Sequence, residues 1–259
     1  MPGAIVRKLT PEQEELGRKR EELSAVRAAL AERELELADL RAQLKSFEGR
    51  YLRQVGALYA ELDDWEARIA ELEASLETTP VAQQRAEQAR KRADDTHEAT
   101  HGEASQAQDF QPSADLKMLF RDVAKRVHPD FAKDDADRQR RHDLMTQANE
   151  AYGRGDAETL QRILDEYDEA SESIHGEGIG AELIRVIRQI HQARKNIAAI
   201  EQELTHLRAS EIAQLRDDEE IARQEGRDLL SELGARVAGK IRVAKKVYET
   251  RRDEVKHAR

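Results

Sequence analysis

Cysteine is absent from the 259 residues, which excludes a disulfide framework and any cysteine-ligated metal, and fits a cytoplasmic protein. Aromatic residues are scarce at 4%, against 37% charged residues. One globular core spanning the whole chain is therefore not expected; charge at that density goes with long, solvated helices. No stretch approaches eighteen uninterrupted apolar residues, and Met1 to Lys8 offer no apolar region for a secretory signal. The expectation is a soluble, cytoplasmic chain with no membrane partner. A phosphate-cradling glycine loop is also missing, since Gly176, Gly178 and Gly180 are not followed by Lys-Ser/Thr, and no cofactor is expected. With 43 Lys plus Arg against 53 Asp plus Glu, the formal net charge of −10 opposes nucleic acid and anionic lipid.

What is present is periodicity. Leu9, Leu16, Leu23, Leu30, Leu37, Leu44, Tyr51, Leu58, Trp65 and Leu72 recur every seventh residue, an unbroken heptad ladder. A second apolar column lies three residues after the ladder at Val26, Leu40 and Phe47, and four after it at Val55, Leu62, Ile69 and Leu76. The change makes Phe47, Tyr51 and Val55 a stutter, which should locally unwind a left-handed supercoil. Leu9 to Leu76 would span about 100 Å as a helix, and Pro80 supplies a stop. A seam of this kind needs a partner helix, either another copy or the C-terminal helices of the same chain.

Residues 81 to 112 have no large apolar side chain between Val81 and Phe110 and read as a polar linker or a solvated helical extension. His97-Glu98-Ala99-Thr100-His101 matches the zinc-protease pattern in which two His one turn apart bind metal. The surrounding segment has no apolar face to bury an ion, so no metal is expected.

A compact segment follows over 113 to 170. Ser113 is placed to cap a helix from Ala114 whose apolar stripe is Leu116, Phe120, Val123 and Val127. Lys117, Arg121 and Lys125 repeat at four-residue intervals beside that stripe, and Arg126 adjoins them. Pro129 pushes the preceding residue out of the α region, so the helix should stop near His128. His128-Pro129-Asp130 then stands at the tip of a helical hairpin, displayed on a charged, exposed loop whose Asp134, Asp135 and Asp137 read as solvated charge. Leu144, Met145, Ala148, Ala151 and Tyr152 form the returning helix, and Asp156 is placed to cap a third, with Leu160, Ile163, Leu164 and Tyr167. The glycines of 171 to 180 read as a hinge. Beyond it, 181 to 259 carries amphipathic helices, folded back or run on: Leu183, Ile187, Ile190, Ile197, Ile200, Leu204, Leu207 and Leu215 sit at helical spacing, and after a polar stretch Leu229, Leu233, Val237, Ile241 and Val247 restore the pattern. The basic end, Lys240 to Arg259, reads as a solvated helix face.

The middle segment resembles the J domain of DnaJ-type co-chaperones. In that family a helix rich in Lys and Arg precedes a His-Pro-Asp tripeptide. Phe120, Arg121, Val123 and Ala124 match its aromatic, basic, aliphatic and alanine positions, and Asn149-Glu150-Ala151-Tyr152 resembles the end of its following helix. The match covers about 114 to 153. The short Tyr-Tyr-x-x-Leu-type helix that usually opens the domain is not recognisable before Pro112, and neither a Gly/Phe-rich region nor a cysteine-rich module follows. The resemblance implies that His128, Pro129, Asp130, Lys117, Arg121, Lys125 and Arg126 dock on a DnaK-type chaperone and stimulate its ATPase, with no catalytic residue of this chain's own.

The expected architecture is all-α: an N-terminal coiled coil over 1 to 80, a linker over 81 to 112, the J-like domain, the hinge, and C-terminal coiled-coil helices. The expected function is a non-enzymatic co-chaperone whose coiled coils form a homo-oligomer or recruit an unidentified client protein. The alternative is a structural coiled-coil scaffold in which the J-like segment is a degenerate spacer.

Overall fold

From Leu16 onward the heptad ladder lies on helix, with Leu16, Leu23, Leu30, Leu37 and Leu44 buried within the chain itself. The computed structural model describes residues 10–77, 79–102, 110–169 and 178–257. Among these the elements are α1 (Pro11–Tyr51), a π-helical turn (Leu52–Gly56), α2 (Ala57–Leu76), α3 (Pro80–His101), α4 (Ala114–Val127), a 3-10 turn (Pro129–Phe131), α5 (Asp135–Arg154), α6 (Ala157–Glu169), α7 (Ile179–Arg208), α8 (Glu211–Gln224) and α9 (Leu229–His257). No strand occurs among the described residues, so the all-α expectation holds. No helix of the described residues is long and apolar enough to cross a membrane. The chain divides into two units, Met1–Ala42 with Phe110–Arg208, and Gln43–Asp109 with Ala209–Arg259.

In the first unit α1 pairs with α7. Arg20 bonds Glu182 and Arg41 bonds Glu203, each 162 residues apart in sequence, while Glu22 bonds Arg194 and Glu36 bonds Arg208, each 172 apart. Partner numbers rise together along both helices, so the helices run parallel. The midpoint of the two separations sets Leu23 level with Ile190, Leu30 with Ile197 and Leu37 with Leu204. Ion pairs five residues to either side of a shared seam level are how flanking positions of a parallel coiled coil meet. Leu23, Leu30, Leu37, Ile190 and Leu204 are buried; burial of each large apolar side chain contributes about 1.5–3 kcal/mol, whereas the exposed ion pairs contribute little. Of the two partners the sequence left open, the seam has found the one in its own chain.

The J-like hairpin packs on the same stretch of α1. Leu116, Phe120, Val123 and Val127 of α4 share a core with Met145, Ala148, Ala151 and Tyr152 of α5, Leu160, Ile163 and Leu164 of α6, and Ala31, Leu35 and Ala38 of α1. Alanines at two of the three α1 positions leave room for the hairpin's larger side chains. Residues of α1 thus complete this core from far upstream in the sequence. Ser113 caps α4 by accepting from the Leu116 N–H at 3.1 Å. α5 ends at Arg154, before Gly155, whose φ of 72° lets the Asp156 N–H reach back to the Ala151 carbonyl at 2.9 Å. Asp156 caps α6 through the Thr159 N–H and hydroxyl.

In the second unit the stutter takes the form of the π-helical turn Leu52–Gly56, which absorbs the shifted register as a widened turn. Val55 and Phe47 stay buried on either side of Tyr51. Of the two readings of 81 to 112, a polar linker or a solvated helical extension, Pro80–His101 takes the helical one as α3, which packs antiparallel along α2. Ala82, Ala86, Ala93 and Thr100 are its buried residues, and Arg90 and Arg92 reach Asp64, Glu71, Asp63 and Glu66 across the pair. Small side chains let two helices approach closely without a large apolar seam. At Gly56 a Cβ would lie 3.0 Å from the Thr100 methyl. α9 runs parallel to α2 on another side, burying Val237, Ile241 and Ala244 against Leu62, with Tyr248 meeting Trp65 at 5.4 Å between ring centres. Most of the hinge expected over 171 to 180 lies outside the described residues.

Candidate functional site: the His-Pro-Asp turn and its neighbours

α4 stops where proline requires. His128 has ψ 133°, outside the helical region, and Pro129–Phe131 forms the 3-10 turn. The imidazole Nδ1 of His128 accepts the Asp130 N–H at 3.1 Å, so the proton of the neutral ring lies on Nε2, which donates to Glu34 on α1 at 3.2 Å. Both ring nitrogens are therefore engaged, and His128 is 3% exposed. The expectation that His128 and Asp130 are displayed at the tip is overturned. The Asp130 side chain, 7% exposed, receives the Asn196 amide of α7 on both carboxylate oxygens, at 2.7 and 2.8 Å. Burial pushes the Asp130 carboxyl above its ordinary value, although His128 and the Asn196 amide act in the opposite direction.

The turn is also held from beneath. Arg141 of α5, 5% exposed, donates to the carbonyls of Arg126 at 2.9 Å and His128 at 3.4 Å, to the Tyr167 hydroxyl of α6, and to Asp137 at 2.9 Å. One guanidinium thus ties the end of α4 and the His128 carbonyl to α5 and α6. Asp137, expected as solvated charge, is mostly buried. Burial pushes its carboxyl up, but the Lys133 N–H together with Arg140 and Arg141 outweighs that and leaves it below the ordinary value. Asp134 caps α5 through the Asp137 N–H; Asp135 is exposed. From α1, the Arg27 guanidinium lies 4.3 Å from the centre of the Phe131 ring.

The basic row divides. Lys117 meets Asp39 of α1 at 3.1 Å, and Arg121 approaches Glu32 at 3.7 Å. Asp39 also accepts from the Tyr152 hydroxyl at 3.1 Å. Lys125 and Arg126 are exposed. The open edge of Pro129 and Asp130 lines a cleft of about 790 Å³ with Lys133, Arg138, Arg188 and Gln192. Of the seven expected docking residues, four, Lys117, Arg121, His128 and Asp130, contact α1 or α7 through their side chains.

Sequence reading missed Arg141, Glu34 and Asn196. Arg141 carried a usable signal, an arginine one turn after Asp137 on the helix that returns past the proline. Glu34 and Asn196 lie 94 and 66 residues from their partners with no local signal. His97 and His101 stack at 4.0 Å between ring centres, and no group of three or more metal-ligating side chains occurs among the described residues. Comparison with protein-family models, curated proteins and solved structures finds no match.

Proposed function

We propose that the chain is a J-domain co-chaperone that docks on a DnaK-type chaperone and stimulates its ATP hydrolysis. The observation that carries this reading is the His128-Pro129-Asp130 turn, clamped by Arg141 at the end of a helix bearing Lys117, Arg121, Lys125 and Arg126. A proline-fixed turn at the end of a basic helix presents a shaped polar surface, and cations beside it steer an acidic partner into place. The chain contributes binding and orientation; the hydrolytic chemistry belongs to the chaperone. The helices beyond the hairpin recruit a client or a second copy through surfaces the chain leaves uncovered, such as Ile184 and Ile187 on α7 and Val243 and Val247 on α9.

A second reading, a coiled-coil scaffold with a J-like spacer, is favoured by the burial of His128 and its bond to Glu34. In that case the tripeptide serves only to anchor the hairpin. Single-turnover ATP hydrolysis by the cognate DnaK-type chaperone separates the two when titrated with this protein and with His128→Gln, each also in a Glu34→Ala/Asn196→Ala background. Co-chaperone function gives stimulation that His128→Gln removes. Absence of any His128-dependent stimulation in both backgrounds supports the scaffold.

A further inference from the structure

We propose that the docking surface is latched by its own chain: Glu34 of α1 and Asn196 of α7 hold His128-Pro129-Asp130 in a closed state that a chaperone partner must displace. The inference rests on the co-chaperone reading above and adds regulation to it. Four of the groups that would meet a partner are already engaged. Both nitrogens of His128 are taken, one by the Asp130 N–H within the turn and one by Glu34. Asn196 donates to both oxygens of Asp130, and the basic row loses Lys117 to Asp39 and has Arg121 beside Glu32.

The occupants resemble a ligand in chemistry. α1 presents three carboxylates, Glu32, Glu34 and Asp39, to the cations and imidazole of the hairpin, while α7 presents an amide to the buried carboxylate of Asp130. An acidic partner and this internal surface therefore compete for the same groups. The contacts to Glu34, Asn196, Asp39 and Glu32 are polar, and beside them Ala31, Leu35 and Ala38 of α1 share an apolar core with Phe120, Val123, Val127, Ala148 and Tyr152. Opening these polar contacts at the turn, with that apolar core kept, exchanges them for contacts with water or with a partner. A protein whose docking-competent state is only a fraction of the population binds with an affinity lowered by that fraction.

The coiled coil supplies the second half of the device. Glu34 and Asn196 lie on the two paired helices, α1 and α7, so both latch contacts depend on that pairing. A client that loosens or turns α7 against α1 changes the position of Asn196 relative to the turn, linking occupancy of the coiled coil to exposure of the tripeptide.

Glu34→Ala/Asn196→Ala tests the latch, because alanine keeps both positions helical while deleting both contacts. Two measurements on the full-length protein apply. Diethyl pyrocarbonate modification of His128, mapped by peptide mass spectrometry, is expected to accelerate about tenfold or more in the variant, with His97 and His206 as internal references. The concentration giving half-maximal stimulation of the chaperone ATPase is expected to fall by a similar factor. Asn196→Asp, which sets a carboxylate against Asp130, should act in the same direction and covers the case in which the double variant loses helical circular dichroism. Unchanged His128 reactivity and half-saturation, with stimulation still dependent on His128, overturns the latch and leaves docking intact. Faster modification without stimulation in any background overturns the co-chaperone reading and, with it, the regulatory meaning of the contact.

Discussion

Arg141→Ala should destabilise the J-like hairpin by about 3 kcal/mol. The side chain is buried and donates to one carboxylate, two backbone carbonyls and one phenol. Breaking a buried pair by deleting one partner costs about 3–5 kcal/mol, and each orphaned buried acceptor adds to that cost. Asp137 keeps the Lys133 N–H and Arg140, which places the expectation at the lower end. Native-state hydrogen exchange of the α4 and α5 amides, at Val123 and Ala148 for example, reads the change directly. A loss of about 3 kcal/mol corresponds to roughly 150-fold faster exchange. Arg141→Lys restores charge beside Asp137 but not the forked geometry, and should fall between the two. The effect also has a pH signature. The Asp137 carboxyl lies below its ordinary value of 3.8 in the folded chain, so its contribution is present above that value and is lost as pH falls through the lower, folded-state value. The gap between wild type and Arg141→Ala should therefore narrow in that acid window. Exchange less than threefold faster at neutral pH would refute the clamp.

Three further outcomes follow from the packing. Leu30→Ala, at a buried level of the α1/α7 seam, should cost about 2–5 kcal/mol in thermal or denaturant unfolding, and a stability unchanged within 1 kcal/mol would contradict the pairing. Burial, and then Asp39, push the Tyr152 hydroxyl well above its ordinary 10.0. The unfolded chain therefore gives up this proton first, stability falls as pH rises above about 10, and Tyr152→Phe should flatten that fall in alkaline melting curves; an unaltered curve would remove Tyr152 as its source. Gly56→Ala meets the Thr100 methyl at 3.0 Å and the Leu52 side chain at 3.2 Å and should destabilise by about 1 kcal/mol, whereas in a Thr100→Ser background, which removes the methyl and leaves Leu52, the same change should cost less; additive effects in this double-mutant cycle would show that the two side chains do not meet.

The periodic parts of the fold were legible in the sequence because their cause is local. Leucines every seventh residue, Ser113 ahead of α4, Asp156 ahead of α6 and Pro129 after His128 each act on neighbouring backbone, and each appears where its chemistry places it. The packing of α3 was not legible, although a helical extension was one of the two readings, because an alanine face buries little area per residue and no large apolar side chain lies between Val81 and Phe110. The partner of the seam was not legible either. Leu30 specifies an apolar neighbour but not which chain supplies it; Arg20 with Glu182 and Arg41 with Glu203 resolve that only after folding has brought them together.

The candidate site shows the same division. The tripeptide and its basic helix could be found because their residues are adjacent in sequence. Their accessibility could not, because Glu34 and Asn196 reach the turn from helices 94 and 66 residues away. Arg141 falls between these cases: its pairing with Asp137 is local to α5, but its hold on the Arg126 and His128 carbonyls exists only once the hairpin has closed.

Whether His128-Pro129-Asp130 is a docking turn is read from ATP hydrolysis by the cognate DnaK-type chaperone. Titration with the wild-type chain should stimulate hydrolysis at high concentration, Glu34→Ala/Asn196→Ala should do so at about tenfold lower concentration, and His128→Gln should abolish both responses. Stimulation that survives His128→Gln, or none from the wild-type chain or the Glu34→Ala/Asn196→Ala variant, would contradict it.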